Sequence, residues 1–434
     1  MLKINFLGDS ITEGAAASRE GNEFVSLVAK MTNSITRNYG VGGTRLGIVV
    51  EPSPDPRYDL YFSSRVKDMN HDADYVFVFG CTNDYGAKVK FGQIGDKTPD
   101  TFCGGVYDLI IQLLKYYRKD QIIFIPPLYR EDEHIPLNRS GDNMPPRTLQ
   151  EYRDALETIV KSFDIQILDI KDIVGKAENN PLIADGLHPN DKGHYLIAQL
   201  ISECIEKLRR TINIYYVRHG DPTYDPDSLT ELGHQQAKLT AEQLKDIPFD
   251  LVFSSPSNRA YLTASYLAKL INKDIVKLDW ASEAKAFEEF VAIDKKTNSK
   301  TWVSHSEIHR QRMNKLQNDD NWYDDPLFSP TIKNGVERFK KEVDNWLLSL
   351  NIKHDRKNKT FSSIGDNPKN IVLFAHEGAG TGFLTSIMDM NYAHYVCNYT
   401  ILKCCSITHI QMVLDDKTMN KIVKYNDVDH LKDL

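Results

Sequence analysis

The sequence predicts an α/β protein made of two consecutive domains, and three observations carry that prediction. Length is the first: 434 residues exceed what one ordinary core organises, and roughly 100–200 residues per domain favours two of similar size. The second is the alternation of apolar runs of strand length with helix-like periodic segments, which implies parallel sheets covered on both faces. The third is a helical pattern that ends near residue 210 just before a new buried strand, which places the domains at 1–209 and 210–434.

In the first half, the strand-length runs are Lys3–Leu7, Tyr75–Phe79, Gln121–Ile125 and Ile165–Leu168. Between and after them, Phe24–Met31, Val106–Tyr117, Leu149–Ser162 and Gly193–Leu208 carry apolar residues at spacings of three and four, the helical signature. The last helix runs into Arg209, Arg210 and Thr211. The second half opens with a strand at Ile212–Val217, followed by Leu251–Phe253 and Ile371–Phe374. Two polar, proline-bearing segments, Tyr85–Gly105 and Pro126–Arg147, follow strands at the sheet edge where such folds place their active-site loops. Val291–Lys333 is a comparable excursion in the second half, and the charged tail Asp427–Leu434 reads as peripheral. The halves share architecture and no motif, and no internal repeat is present.

Charged residues at 26% and hydrophobic residues at 41% give the balance of a soluble globular protein. With 53 basic against 60 acidic side chains, a formal charge of -7 leaves no basic excess for nucleic acid or an anionic membrane, so small-molecule substrates are the expected partners. Oligomeric state is not legible. The segment Met1–Gly8 is too short an apolar run for a signal peptide and no stretch reaches membrane-spanning length, so the expected location is cytoplasmic. Six cysteines, Cys81, Cys103, Cys204, Cys397, Cys404 and Cys405, lack paired metal-ligand spacing and are assigned to packing as reduced thiols. No metal or other cofactor is called for.

Directly after the first strand stands Gly8-Asp9-Ser10-Ile11-Thr12, a serine at a strand-to-helix turn. Alone it reads as a helix N-cap. Three further segments supply what acyl transfer needs. Asn38-Tyr39-Gly40-Val41-Gly42-Gly43-Thr44 is a glycine turn able to aim N–H groups at an anion. Gly80-Cys81-Thr82-Asn83-Asp84 offers a side-chain amide. Asp185-Gly186-Leu187-His188-Pro189 puts a carboxylate three residues before a histidine. Taken singly, Asn83, Asp185 and His188 each have an ordinary structural role as turn residue, cap or satisfied histidine. Together and in this order they resemble the four blocks of the SGNH (GDSL) hydrolases over residues 3–208.

That resemblance implies a flavodoxin-like parallel sheet in an α/β/α sandwich. It also implies a serine esterase in which Ser10 attacks the carbonyl, His188 takes its proton and Asp185 orients the imidazole. The oxyanion hole would be Ser10 N–H, Gly43 N–H and the Asn83 amide. The family alignment selects Gly43 within the turn, with Gly40 and Gly42 as neighbouring alternatives.

In the second half Ile214-Tyr215-Tyr216-Val217 leads into Arg218-His219-Gly220-Asp221. Leu229-Thr230-Glu231-Leu232-Gly233 and Ser254-Ser255-Pro256-Ser257-Asn258-Arg259-Ala260 follow. A late apolar strand then runs into His376-Glu377-Gly378. From 212 to about 415 this resembles the histidine phosphatase superfamily, which includes phosphoglycerate mutases. The resemblance implies a mostly parallel sheet in a second α/β/α domain, His219 as a nucleophile on phosphorus, and Arg218, Arg259 and His376 around the phosphoryl oxygens. The acid serving the leaving group is less sharply marked. Trp280-Ala281-Ser282-Glu283 only partly follows the mutase-like LxExxxGxxEG pattern, so Glu283 is the positional match, Glu377 a competitor from another branch, and Asp221 and Glu288 weaker candidates.

His305 and His309 stand four apart without the glutamate of an HExxH motif and read as part of a polar lid, with Arg310 or Arg312 available to reach phosphate. Near the serine site, Arg130, Glu131, Asp132, Glu133, His134 and Arg139 make loops too polar for an obvious lipid groove. The leading expectation is a bifunctional hydrolase acting on an acyl ester and a phosphate ester. An active esterase with a phosphate-binding or weakly active rear domain is the alternative, and a phosphoryl-transfer mutase ranks last.

Overall fold

The computed structural model describes residues 1–49, 51–87, 89–137, 145–293, 300–319, 321–415 and 420–434. The backbone divides into two compact units, Met1–Leu208 and Arg209–Leu434.

The first unit is built on five strands, β1 (Lys3–Gly8), β2 (Ile35–Gly40), β3 (Tyr75–Phe79), β4 (Ile122–Ile125) and β5 (Gln166–Ile167), in the order β2-β1-β3-β4-β5. Every pairing is parallel. This is the flavodoxin-like order, which reverses direction beside β1 and opens a crevice at the carboxyl ends of β1 and β3. Side chains alternate between the two faces, as strand geometry requires. Leu7, Val76, Val78, Ile122 and Phe124 enter one core, and Ile4, Phe6, Phe77, Phe79, Ile123 and Ile125 the other. Helices cover both: Phe102–Leu113 and Leu149–Ser162 on the first face, Phe24–Thr32 and Asp191–Arg210 on the second. The helix at Leu149 starts where Thr148 and Glu151 form a reciprocal capping box, which satisfies two orphan N–H groups at once.

The second unit has β6 (Thr211–Arg218), a hairpin of β7 (Pro222–Tyr224) and β8 (Asp227–Leu229), then β9 (Leu251–Ser254) and β10 (Ile275–Lys277). A second hairpin, β11 (Val291–Ile293) with β12 (Lys300–Trp302), lies in the excursion after residue 290, and a third joins β13 (Ile352–Asp355) to β14 (Thr360–Ser363). The sheet is completed by β15 (Asn370–Ala375), β16 (Ile407–Val413) and β17 (Lys421–Asp427), in the order β10-β9-β15-β6-β16-β17. Its first four members run parallel, β16 pairs antiparallel with β6, and β17 antiparallel with β16. Ile214, Tyr216, Ile371 and Leu373 face one core while Val217, Val372 and Phe374 face the other.

Three edge or outer strands depart from what apolar runs suggest. Strand β2 reads Ile-Thr-Arg-Asn-Tyr-Gly and is at best half-buried, and β10 and β17 likewise contain only half-buried and exposed residues. Edge strands bury one face at most and carry charge on the other, which erases the apolar run that marks a central strand.

Candidate active sites

In the first unit the crevice beside β1 receives four loops. Ser10 is the first residue of a short helix, Ser10–Glu13, capped by the Asp9 carboxylate, which accepts the Ile11 N–H at 3.1 Å. Ser10 Oγ lies 2.9 Å from His188 Nε2, and His188 Nδ1 lies 2.8 Å from Asp185 Oδ2. The other Asp185 oxygen accepts the N–H groups of Leu187 and His188 at 3.1 and 2.8 Å. Burial works against the Asp185 charge, but the hydrogen bonds from the His188 ring and backbone hold its carboxyl below the usual range. A neutral imidazole held this way presents a lone pair at Nε2 to the serine hydroxyl.

The glycine turn can be resolved donor by donor. Gly40 N–H is taken by Asn38 Oδ1 at 2.8 Å and Val41 N–H by the Gly8 carbonyl at 3.1 Å. Gly42 N–H is taken by Glu13 Oε2 at 2.8 Å, and Thr44 N–H by the Val41 carbonyl at 3.3 Å. Gly43 N–H alone in this turn has no acceptor among the described residues. Gly43 has φ +74°, and a Cβ there would meet the Tyr58 ring at 2.7 Å, so glycine is required on both counts. Asn83 spends one amide hydrogen on the Thr44 carbonyl at 3.0 Å, which leaves its second for a ligand.

Two buried charges that motif reading passes over hold these loops. The Arg65 guanidinium donates to the carbonyls of Gly8 and Tyr39 and to Thr44 Oγ1 at 3.0, 2.6 and 3.1 Å, joining the ends of β1 and β2 to the turn. Asp84 is 0% exposed and accepts the N–H groups of Leu46 and Gly47, locking the segment that bears Asn83. Burial pushes the Asp84 carboxyl up to about 7, against those two hydrogen bonds. Of the polar loop residues, Arg130 pairs with Asp132 and donates to the Thr82 carbonyl, Glu131 N–H binds the Gly186 carbonyl, and Glu133 meets Arg153. Arg139 lies outside the described residues.

In the second unit the carboxyl ends of β6, β9 and β15 converge. His219 follows β6, is 3% exposed, and has Nδ1 2.7 Å from the Gly220 carbonyl. That fixes the proton on Nδ1 and leaves Nε2 as a lone pair. Burial, with Arg218 and Arg259 nearby, pushes the His219 imidazole down to about 3 despite the Gly220 bond, so it is neutral at ordinary pH. Arg259 Nε lies 3.4 Å from His219 Nε2. Arg218 Nη1 donates to the Leu402 carbonyl. His376 follows β15, is 0% exposed, and its ring centroid is 5.0 Å from that of His219. The four residues expected to surround a phosphoryl group are thus gathered at one sheet edge, where they can place a neutral nucleophile beside two guanidinium groups.

Glu283 and Glu377 also reach this place, while Glu288 is exposed and Asp221 gives its carboxylate to Thr230 Oγ1 at 2.7 Å. Glu283 accepts the N–H groups of Gly378 and Ala379 at 3.4 and 3.1 Å, at the start of the helix Glu377–Ile387. Burial pushes Glu283 up to about 7, the Glu377 charge adding to the effect. Glu377 is itself raised by burial, partly offset by Arg218 and His305. His305 and His309 fall on different elements, a 3₁₀ turn and the helix Glu307–Leu316, and His309 Nδ1 lies 2.7 Å from Ser306 Oγ. Arg312 is paired with Asp325. Asp227 and Glu13 are site neighbours that no motif announced, and the partner of Ser255, which stood within a quoted motif, was not foreseen, because these contacts join residues distant in sequence.

Among the described residues no helix is long and apolar enough to cross a membrane. Residues 6–196 match the model of the GDSL-like lipase/acylhydrolase family, and residues 214–427 that of the histidine phosphatase superfamily (branch 1). Phosphoserine phosphatase 1 of Hydrogenobacter thermophilus is 34% identical over 77 residues, 16% of this chain and 36% of that protein. The 2,3-bisphosphoglycerate-dependent phosphoglycerate mutase of Thermoplasma acidophilum is 39% identical over 70 residues, 14% of this chain and 35% of that protein. Each alignment therefore spans little more than a third of the relative. The crystal structure of a lipolytic G-D-S-L family member from Veillonella parvula is similar to 47% of this chain over 97% of its own, at 17% identity and a TM-score of 0.35. The chain carries a GDSL-like lipase/acylhydrolase domain followed by a histidine phosphatase superfamily domain, both from families of hydrolytic enzymes.

Proposed function

We propose that the chain is a bifunctional hydrolase that cleaves an acyl ester at Ser10 and a phosphomonoester at His219. The observation that carries the first half is the unbroken chain from Ser10 Oγ through the His188 ring to Asp185, at 2.9 and 2.8 Å. Ser10 Oγ attacks the carbonyl carbon while His188 Nε2 takes its proton, and Asp185 stabilises the imidazolium that forms. The oxyanion is held by the N–H groups of Ser10 and Gly43 and by the second Asn83 amide hydrogen. The proton on His188 passes to the departing alcohol, and water, deprotonated by the same ring, releases the acid. The charged and hydrogen-bonded loop of Arg130, Glu131, Asp132, Glu133 and His134 favours a short acyl group on a polar, sugar-like carrier.

At the second site His219 Nε2 attacks phosphorus in line, forming a phosphohistidine as the alcohol departs. Arg218, Arg259 and His376 balance the charge on the equatorial oxygens. Glu283, whose burial keeps a proton available near neutrality, protonates the leaving oxygen and as a carboxylate then deprotonates the water that frees phosphate. The partial likeness to a phosphoserine phosphatase agrees with a phosphomonoester substrate.

The test is the purified full chain with p-nitrophenyl acetate and p-nitrophenyl phosphate, beside Ser10→Ala and His219→Ala. Each substitution is expected to abolish one activity and spare the other. Acetate cleavage without phosphate cleavage would replace the second half of the proposal by a phosphate-binding module. Turnover of long-chain lipid esters alone would overturn the polar-carrier assignment.

A further inference from the structure

His376 is a histidine with one nitrogen spoken for. Its Nε2 lies 2.7 Å from Ser255 Oγ, across 121 residues of sequence, and both residues are 0% exposed. Its Nδ1 is buried with no hydrogen-bond partner among the described residues. A buried polar atom left without a partner in a folded protein calls for a ligand or a stated cost. The ring of His219 is its neighbour, 5.0 Å away between centroids and inclined by 62°.

A neutral imidazole carries one proton and one lone pair, so what Nε2 does determines what Nδ1 offers. If Nε2–H donated to Ser255, Nδ1 would turn a lone pair toward the site, where a phosphoryl group has only acceptor oxygens to present. If the Ser255 hydroxyl donated to Nε2, the proton would sit on Nδ1 and meet one of those oxygens. The surroundings of Ser255 favour the second arrangement. Ser257 N–H points at Ser255 Oγ from 3.3 Å and occupies an acceptor position on it, and the competing acceptor for the Ser255 O–H, Ser257 Oγ, is at 3.4 Å against 2.7 Å for the histidine.

We infer that Ser255 is a positioning residue that sets the tautomer of His376, holding the proton on Nδ1 so that a neutral, buried imidazole donates to the bound phosphoryl group. This rests on the phosphoryl-transfer reading of the second unit and adds to it the device by which an uncharged histidine serves as an anion ligand. Ser255 acts through His376 and needs no contact with substrate.

The experiment is ¹⁵N spectroscopy of the labelled full-length chain, with the His376 ring signals assigned by their loss in His376→Gln, together with calorimetric titration of inorganic phosphate. The wild-type ring without phosphate is expected to show a protonated Nδ1 and an unprotonated Nε2. Ser255→Ala is expected to move the proton to Nε2 and weaken phosphate binding about tenfold or more, as for one lost hydrogen bond to an ion. A wild-type ring protonated on Nε2 overturns the inference, and this measurement decides even if the variant does not fold. An unchanged tautomer and affinity in a folded Ser255→Ala overturns it as well. Wild-type protein that neither binds phosphate nor cleaves a phosphate ester overturns the underlying reading instead, while the ring tautomer is still read directly.

Discussion

Asp227 holds Arg259 by one carboxylate oxygen, Oδ1 at 2.6 Å from Nη1, and accepts the Asn258 N–H with the other at 2.8 Å. The guanidinium that borders His219 is therefore gripped at its far edge by the β7–β8 hairpin, which also lays the Tyr224 ring 5.3 Å from it. Removing the grip frees a long side chain that, on the proposed mechanism, meets the phosphoryl group in one geometry. Asp227→Ala is expected to lower kcat/KM for p-nitrophenyl phosphate by about 10- to 100-fold, with acetate hydrolysis unchanged. Asp227→Asn, which keeps an oxygen toward Nη1, should lose less; steady-state kinetics on both substrates checks this.

Asn83 donates to the Thr44 carbonyl with one hydrogen and has the other in reserve. If that hydrogen serves the oxyanion, Asn83→Ala should reduce kcat for p-nitrophenyl acetate by about 10²–10³ with little change in KM, as for other oxyanion donors. A change confined to KM would assign Asn83 to substrate binding.

Glu283 titrates near 7 because burial disfavours its charge, and only its protonated form can give a proton to a leaving group. Hydrolysis of an alkyl phosphate is therefore expected to fall as pH rises through about 7. Glu283→Gln should cost about 10²–10⁴ on an alkyl phosphate and far less on p-nitrophenyl phosphate, whose phenolate leaves without help. If Glu377→Gln shows that pattern and Glu283→Gln does not, the two roles are exchanged.

His354 lies with its side chain 0% exposed between Asp344 and Asp389, each 2.8 Å from a ring nitrogen, and Arg356 bridges the same carboxylates. Burial works against its charge, but the two aspartates raise its pKa above 6.5. A group raised on folding stabilises the folded state fully below its unfolded pKa and ceases to do so as pH climbs through the folded value. The stability advantage of wild type over His354→Gln should accordingly be greatest near pH 6 and shrink toward pH 9. All four tryptophans, Trp280, Trp302, Trp322 and Trp346, lie in the second unit, so urea unfolding followed by tryptophan fluorescence reads that unit selectively.

Central strands and the candidate site residues were legible for the same reason. Tyr75–Phe79 and Ile371–Phe374 are buried almost throughout and so appear as unbroken apolar runs, and Ser10, His219 and His376 each stand within two residues of a strand's carboxyl end. What stayed hidden depends on contacts the linear pattern does not encode. Ser255 stood within a quoted segment, yet its tie to His376 exists only because β9 and β15 are neighbours. Nothing in the local sequence of Arg65 or Asp84 foretells burial against backbone carbonyls and N–H groups. The outer strands β2 and β17 were obscured by their own solubility. Within the 38–44 turn the family alignment selected Gly43, and the linear pattern could not tell that the N–H groups of Gly40 and Gly42 are already taken by Asn38 and Glu13.

Ser10 and His188 stand 178 residues apart, at opposite ends of the unit they serve. A ribosome adding about 5–20 residues per second would need roughly 10–35 seconds between one and the other. On the proposed mechanism the serine emerges without its base throughout that interval, and a fragment ending before residue 188 would lack the proton acceptor that activates Ser10. On that mechanism the order of synthesis therefore delays full activation of the serine until almost the whole unit has been made.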